Sequence, residues 1–141
     1  MAANFTDVAD AAFVRAGELR TRALELAEIE LDAFVPVLEA LRLPRDDPDR
    51  AARVSAANAE ASRSPLEIAR VAAEVAELAA DLARTGNPNL TGDAVAGALL
   101  AEAAAQAAAR LVRINLTDGP EVEEARQSAE RALDARGRAL G

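Results

Sequence analysis

The sequence predicts an all-α fold, an elongated bundle of about five helices, and three observations support that prediction. Alanine, leucine, glutamate and arginine, which are among the strongest helix formers, make up most of the 141 residues. Apolar residues recur at helical spacing, and the apolar-polar alternation that is typical of strands does not occur. Proline, glycine and capping residues interrupt this pattern at intervals. The length corresponds to a single domain, residues 1–141, with one core.

The first predicted helix is long, from about residue 7 to residue 43, with leucines and phenylalanines at helical spacing. Pro36 removes one backbone donor and crowds the preceding turn, so we expect a kink near it. A turn follows, in which Asp47 and Pro48 form the pattern of an N-cap followed by a proline. A second helix is therefore expected to run from there to about residue 62.

The third helix has the clearest start signal. Ser64 and Glu67 form the pattern of a capping box around Pro65. Gly86 is expected to end this helix in the left-handed conformation. Between these ends the predicted buried stripe consists of Val71, Val75, Leu78 and Leu82.

Two more helices are predicted after this point. Thr91 is a candidate cap for a helix that runs to about residue 116, and small side chains at 101–109 allow a neighbouring helix to approach closely. We expect that contact inside the fold or in a homodimer. Gly119 and Pro120 then start a last helix, which ends near residue 139 and is expected to be peripheral because it is strongly charged.

The composition excludes several classes of site. The chain contains no cysteine, histidine, tryptophan or tyrosine, and all 16 basic residues are arginine. Disulfides, thiol or imidazole metal sites, histidine catalysis and lysine Schiff bases are therefore excluded. The remaining chemistry belongs to carboxylates, amides, hydroxyls and fixed arginine charges, and we expect no metal and no prosthetic cofactor.

The charge and hydropathy patterns bear on partners and location. A net charge of −8 disfavours binding to nucleic acid. The apolar stretch 94–109 is mostly alanine, and we expect it to be too short and too weakly hydrophobic to span a membrane. The N-terminus lacks the pattern of a secretory signal. We therefore expect a cytoplasmic protein with no membrane partner.

Amide and carboxylate side chains cluster at the corner before the fourth helix. Asn87, Asn89 and Asp93 carry planar groups that suit the edge of a heterocycle, and a helix start adds free backbone amides. Asn115, near the other end of the same helix, joins them as a candidate. The alternative interpretation is that the asparagines complete a tight turn and that Asp93 interacts with the helix N-terminus.

Charged residues crowd two other places. In the first helix, Glu28 and Glu30 lie between further acidic residues, so like charges share a face and slightly destabilise the helix unless Arg22 or a ligand compensates. A carboxylate in such a cluster can transfer protons. The alternative is that these acidic residues only form a solvent-exposed face of the helix. Around the first turn, Arg45 and Arg53 alternate with aspartates. These arginines can hold the anionic tail of a ligand. The alternative is that they form ion pairs with the neighbouring aspartates at the protein surface.

Three segments together resemble the cyclodeaminase/cyclohydrolase family, which includes the C-terminal domain of formiminotransferase-cyclodeaminase and stand-alone methenyltetrahydrofolate cyclohydrolases. They are Ser-Pro-Leu-Glu-Ile-Ala at 64–69, Gly-Asn-Pro-Asn-Leu-Thr-Gly-Asp-Ala at 86–94 and Val-Arg-Ile-Asn-Leu at 112–116. Their order and spacing match the family's Pro-Leu helix start, its Gly-Asn-x-Asn-x-x-x-Asp corner and its Val-x-Ile-Asn-Leu helix end. The resemblance continues upstream through the acidic helix and covers nearly the whole chain.

The resemblance implies folate chemistry: ring closure of formimino-tetrahydrofolate with loss of ammonia, or hydrolysis of the methenyl bridge. Both reactions need only proton transfer by a carboxyl group, with the tetrahydrofolate derivative as substrate. By analogy, Glu28, with Glu30 as substitute, is expected to transfer the proton. The ligand-positioning residues are expected to be Asn87, Asn89, Asp93 and Asn115, with Arg45 and Arg53 at the glutamate tail of the folate, which can be polyglutamylated. The family scaffold also implies a homodimer that forms through helix packing.

The sequence departs from the family pattern in two places. Family members open with a Pro-Gly-Gly-Gly-Ser turn and a small-residue helix, whereas this sequence begins at the end of that helix, with Met-Ala-Ala-Asn-Phe at 1–5. We therefore expect either a gene start set too late or a shortened relative with impaired or altered activity. Glu28 and Glu30 stand where the family tends to have aspartate. The alternatives to an enzyme are a non-catalytic helical dimer or folate-binding remnant of this scaffold, and a helical interaction module unrelated to folate.

Overall fold

The computed structural model describes the backbone of residues 5–141 and the side chains of residues 9–141. Within residues 5–141 the chain forms six α-helices and one 3-10 turn, without strands. The helices are α1 (Phe5–Ala33), α2 (Val35–Leu41), α3 (Arg50–Ala61), α4 (Arg63–Thr85), α5 (Thr91–Asn115) and α6 (Pro120–Leu140), and the 3-10 turn is Pro88–Leu90. The all-α prediction is confirmed. Of the N-terminal segment 1–5 compared with the family, residues 1–4 lie outside the described residues.

One single-residue interruption explains why six helices stand where about five were predicted, and a second lies at a helix boundary that the sequence predicts. Phe34 separates α1 from α2, and Pro36 lies in the first turn of α2, so the expected break near this proline is present. Ser62 separates α3 from α4 while keeping helical backbone angles, φ −82° and ψ −14°. Four helices are long, α1, α4, α5 and α6, with 29, 23, 25 and 21 residues.

Helices α4, α5 and α6 pack together around a core made largely of alanine. Ala73, Ala76 and Ala80 of α4 are completely buried, as are Ala105 of α5 and Ala132 of α6. Side chains this small allow helix axes to come close together, so the core is thin and dense. The expected close approach through 101–109 is therefore confirmed on one side of α5, inside the fold.

The prediction that the last helix is peripheral is wrong. Helix α6 packs against both α4 and α5, and its Ala125, Ala129, Ala132 and Ala135 are buried. These residues recur every three or four positions and form one face of the helix. The charged residues occupy the other faces, and the overall charge concealed the alanine stripe.

Helix α1 lies antiparallel on α4 through a small apolar contact. Leu19 and Leu26 of α1 are buried against Val71 of α4. The predicted stripe of α4 is buried only in part, since Leu82 is 38% exposed. Several apolar side chains of the first predicted helix, among them Leu24, are also exposed; the others are Phe13, Val14, Ile29, Leu31, Phe34, Leu38 and Leu41.

Two predicted helix ends have a different structure. Helix α4 begins at Arg63 instead of at a Ser64 capping box, because α3 runs almost directly into it and the Ser64 hydroxyl instead donates to a glutamate of α1. Gly86 is extended, with φ −80° and ψ −164°, and not left-handed. A glycine is still needed there, because a Cβ would collide with the carbonyl oxygen of Leu82.

Within residues 5–141, one helical stretch, Pro88–Asn115, is long and apolar enough by length and composition to cross a membrane. From its composition, the apolar stretch 94–109 was expected to be too short and too weakly hydrophobic to span a membrane. In the fold, one face of the stretch packs in the core, with buried alanines such as Ala98 and Ala105. A core helix of this kind meets the same length and hydropathy criteria as a membrane span.

Candidate functional site

The predicted corner folds as a tight turn with exposed side chains. Asn87 precedes the 3-10 turn, and its Oδ1 accepts a hydrogen bond from the backbone amide of Asn89 at 3.0 Å. This is the turn-completing contact that the alternative interpretation expected of Asn87. Asn87, Asn89 and Asp93 are all exposed. A single chain therefore leaves these three side chains open to solvent.

Asn115 lies in a polar cleft between α3 and the turn from α5 to α6. The cleft has a volume of about 510 Å³ and is lined by Arg50, Ala51, Val54, Ser55, Asn58, Asn115, Leu116, Thr117 and Asp118. Asn115 is half-buried, and its Nδ2 donates to the carbonyl oxygen of Ala61 at 3.4 Å. That contact fixes one side of the amide. The volume is within the usual range for small-molecule sites.

The Glu30 side chain is hydrogen-bonded to the start of α4. The hydroxyl of Ser64, a buried residue, donates to its carboxylate across the α1–α4 contact. Glu30 is half-buried, whereas Glu28 points to solvent from the same helix. A hydrogen bond to a fixed hydroxyl limits the rotamers that the carboxylate can adopt. Of the two predicted proton-transfer residues, Glu30 is therefore the one that the fold positions.

Glu30 and Asn115 both have their hydrogen-bond partners at the junction between α3 and α4. Asn115 contacts Ala61, and Glu30 contacts Ser64, so their contact points lie within one helical turn, about 5 Å along the axis. Asp93 lies at the opposite end of α5 from Asn115. A separation of 22 residues corresponds to about 33 Å of helix. One chain thus keeps the corner and the junction apart.

The arginines predicted to hold an anionic tail have different environments. Arg53 is exposed and lines a second cleft, of about 430 Å³, between α2 and α3. Arg45 is exposed in the turn before α3. The neighbouring Arg50 is instead structural, because its guanidinium donates to the carbonyl oxygens of Leu43 at 3.1 Å and Leu41 at 3.3 Å.

Ion pairs also join α4 to α6. Arg131 of α6 binds Glu77 of α4 with distances of 2.7 and 2.9 Å, and this hydrogen bonding lowers the pKa of Glu77. Arg70 similarly lowers the pKa of Glu124 at 2.6 Å. These carboxylates are held ionised by structural partners. Within the described residues no group of three or more acidic side chains could hold a metal ion.

Two residues at the junction were not predicted from the sequence. Asn58 lines the cleft with Asn115, and buried Ser62 donates its hydroxyl to the Asn58 carbonyl oxygen at 2.8 Å. Small polar residues one turn apart in an alanine-rich helix were the available signal. Ser64 was noted, but as a cap instead of as the partner of Glu30.

The resemblance first seen in three motifs agrees with the comparison to known families. A family model described as formiminotransferase-cyclodeaminase matches residues 1–134. No curated protein matches the chain. The family match covers all three motifs and the helices that carry Glu30, Asn115 and the corner. On this evidence, the chain belongs to the formiminotransferase-cyclodeaminase family of folate one-carbon metabolism.

Proposed function

We propose that this protein acts on a tetrahydrofolate derivative, either as a formimidoyltetrahydrofolate cyclodeaminase or as a methenyltetrahydrofolate cyclohydrolase. The observation that carries the proposal is that Glu30 and Asn115 both form hydrogen bonds to residues at the α3–α4 junction, where Asn115 lines a polar cleft of about 510 Å³. The family match supports the substrate class. In this proposal the tetrahydrofolate derivative binds as the substrate, and the protein needs no prosthetic cofactor.

Both reactions pass through a tetrahedral carbon between two folate nitrogens, so the protein must move a proton to or from a nitrogen or a water. The chain has no histidine, cysteine or lysine for this task. In this proposal Glu30 transfers the proton, and Ser64 holds its carboxylate in position. Glu28, one of the two residues implied by the resemblance, is the alternative proton-transfer group and lies exposed on the same helix.

The ligand is proposed to contact amide groups at one end and arginines at the other. Asn115 and Asn58 offer donors and acceptors for the pterin edge. Arg53 and Arg45 lie on the α3 side, where the glutamate tail of the folate would meet positive charge. Asn87, Asn89 and Asp93 are proposed to contact the ligand in a homodimer, since one chain holds them about 33 Å from Asn115.

A test of the catalytic proposal compares two glutamate variants in the same helix. Glu30→Gln keeps a hydrogen-bond acceptor for Ser64 but removes the titratable group, and we expect turnover to fall by about 10²–10⁴-fold. Glu28→Gln is the matched control, with turnover expected to change by less than about threefold. Ammonia release and hydrolysis of the methenyl bridge are followed in separate assays. The roles are reversed if Glu28→Gln loses turnover and Glu30→Gln retains it.

A second candidate is a non-catalytic helical protein that retains the scaffold for binding or assembly. The exposure of Asn87, Asn89 and Asp93, and the use of Asn87 in its own turn, favour this candidate. It predicts calorimetric binding of a reduced folate, or self-assembly alone, with no turnover of either substrate. Measurable turnover that depends on Glu30 or Glu28 would exclude it.

A further inference from the structure

The outer face of α5 carries an apolar stripe that nothing in the single chain covers. Its six residues follow one another at intervals of three or four and are all exposed: Ala96, Leu100, Ala103, Ala107, Leu111 and Ile114. We call them the α5 stripe. Leu100 is 73% exposed and Ile114 63%, and only 33% of the most apolar window in this helical stretch is buried. Heptad-like spacing of this kind is typical of a helix that packs against another helix.

We propose that a second copy of this chain covers the α5 stripe in antiparallel orientation, so that Asp93 of each copy completes the cleft of the other beside Asn115. The ligand in this inference rests on the proposed function, whereas the pairing of the two helices does not. The homodimer is thereby given a specific face, a specific register and a role in the site.

Charge selects the antiparallel orientation. The six residues of the α5 stripe are uncharged, although the chain has a net charge of −8. Asp93 lies at the N-terminal end of α5, and Arg110 and Arg113 lie near its C-terminal end, all of them exposed. Parallel helices would set like charges opposite each other. Antiparallel helices set the acidic end against the basic end and also oppose the two helix dipoles.

The length and spacing of the helix select the register. Full overlap of two antiparallel α5 helices sets residue 91 of one copy opposite residue 115 of the other. The nearest register that matches stripe to stripe pairs Ala96 with Leu111, and Leu100 with Ala107 of the second copy. Large side chains then face small ones, as dense packing requires.

The selected register has a consequence for the site. Asp93 lies opposite Ile114 of the second copy and therefore next to its Asn115, which lines the polar cleft. The carboxylate that one chain holds about 33 Å away is thus supplied by the other chain. The α5 stripe also borders an apolar groove of about 490 Å³ between α1, α4 and α5, and Leu100 belongs to both, which extends the contact area.

Cysteine cross-linking tests the register directly, because the natural sequence contains no cysteine. In the selected register, the two copies of residue 103 are offset by about 1.5 Å along the helix axis, and the two copies of residue 107 by about 10 Å. A disulfide needs Cα atoms within about 4.4–6.8 Å. We expect Ala103→Cys to form covalent dimers under mild oxidation, at least about tenfold more than the matched control Ala107→Cys. Equal yields, a reversed order or no dimer in either variant overturns the proposal.

Two further measurements separate the pairing from the folate function. Leu100→Glu is expected to give a monomer by light scattering, whereas Leu133→Glu, at an exposed leucine of α6, leaves the dimer intact. Asp93→Ala and Asn115→Ala are each expected to weaken binding of 5-formyltetrahydrofolate at least about tenfold. In a re-equilibrated equal mixture of the two variants, about half of the dimers contain one chain of each kind, and one of the two sites in each such dimer is intact. The mixture should therefore recover about a quarter of the sites.

The outcomes are distinguishable. Selective cross-linking without any folate binding by the natural chain supports the pairing and contradicts the proposed function. Folate binding by the natural chain without selective cross-linking supports the function and overturns the pairing. Binding that the mixed variants do not recover overturns the shared site, even where the cross-link forms.

Discussion

Replacing Leu26 by alanine tests the contact that positions α1, and with it Glu30. Leu26 is 2% exposed and packs against Leu19 and Val71, whereas Leu24, two residues earlier, is 64% exposed. Leu26→Ala removes three carbon atoms from a buried position, and about 0.8 kcal/mol per carbon gives about 2.4 kcal/mol for the lost transfer free energy. The loss of packing adds to this value, but Leu26 borders an open groove, so we expect a total of about 2.5–3.5 kcal/mol.

The assay is urea unfolding followed by circular dichroism, at two protein concentrations so that dimer dissociation is separated from unfolding. Leu26→Ala is expected to lower the free energy of unfolding by the stated amount, which corresponds to roughly 5–12 °C in melting temperature for a chain of this size. Leu24→Ala, the control, should change it by less than about 0.5 kcal/mol in dilute solution. Equal effects of the two variants would refute the antiparallel α1–α4 packing described above.

Two predictions concern other features of the fold. Gly86→Ala should destabilise the protein by about 1–3 kcal/mol in thermal unfolding, because the new Cβ meets the backbone oxygen of Leu82, whereas Gly92→Ala, with open space around it, should be neutral or slightly stabilising. The pKa of Glu77 is lowered by Arg131, so this pair stabilises the fold above the ordinary value of 4.5 and the stabilisation is lost as pH falls below it. Both side chains are partly exposed, and the pair contributes about 0.2–1 kcal/mol. The stability difference between the natural chain and Arg131→Gln should therefore shrink between about pH 6 and about pH 3, and a difference that is constant with pH would contradict this assignment.

The helices were predictable because the signals that define them are local. Pro36 restricts the chain at its own position, and the break before it follows from one missing donor. Gly119, with φ 114°, and Pro120 start α6 as expected. The Ser64 cap was not predictable in the same way, because its hydroxyl is used by Glu30, a residue 34 positions away. The start of α4 therefore depends on a tertiary hydrogen bond of the Ser64 side chain, which the local sequence does not specify.

The candidate site was predictable in its residue types and only partly in its arrangement. The absence of histidine, cysteine and lysine leaves carboxylates and amides as the groups able to do chemistry. The sequence grouped Asn115 with the corner by motif, and α5 then places them at opposite ends of a rigid helix. The sequence around Asn87 and Asp93 contains no signal that determines where Asn115 lies in the fold. Their proposed meeting depends on contacts between two copies of the chain.

The amino-acid sequence by itself determined the helical class and the helix boundaries to within a few residues, because helix propensity, proline and glycine act on their immediate neighbours. It also determined the family, through the order and spacing of three motifs. Only the tertiary structure decided which alanine faces are buried, that α6 belongs to the core, and that Glu30 rather than Glu28 is held by Ser64. Small side chains carry little hydrophobic signal of their own. Their burial depends on how closely the helices approach, and that distance is a property of the whole assembly of helices.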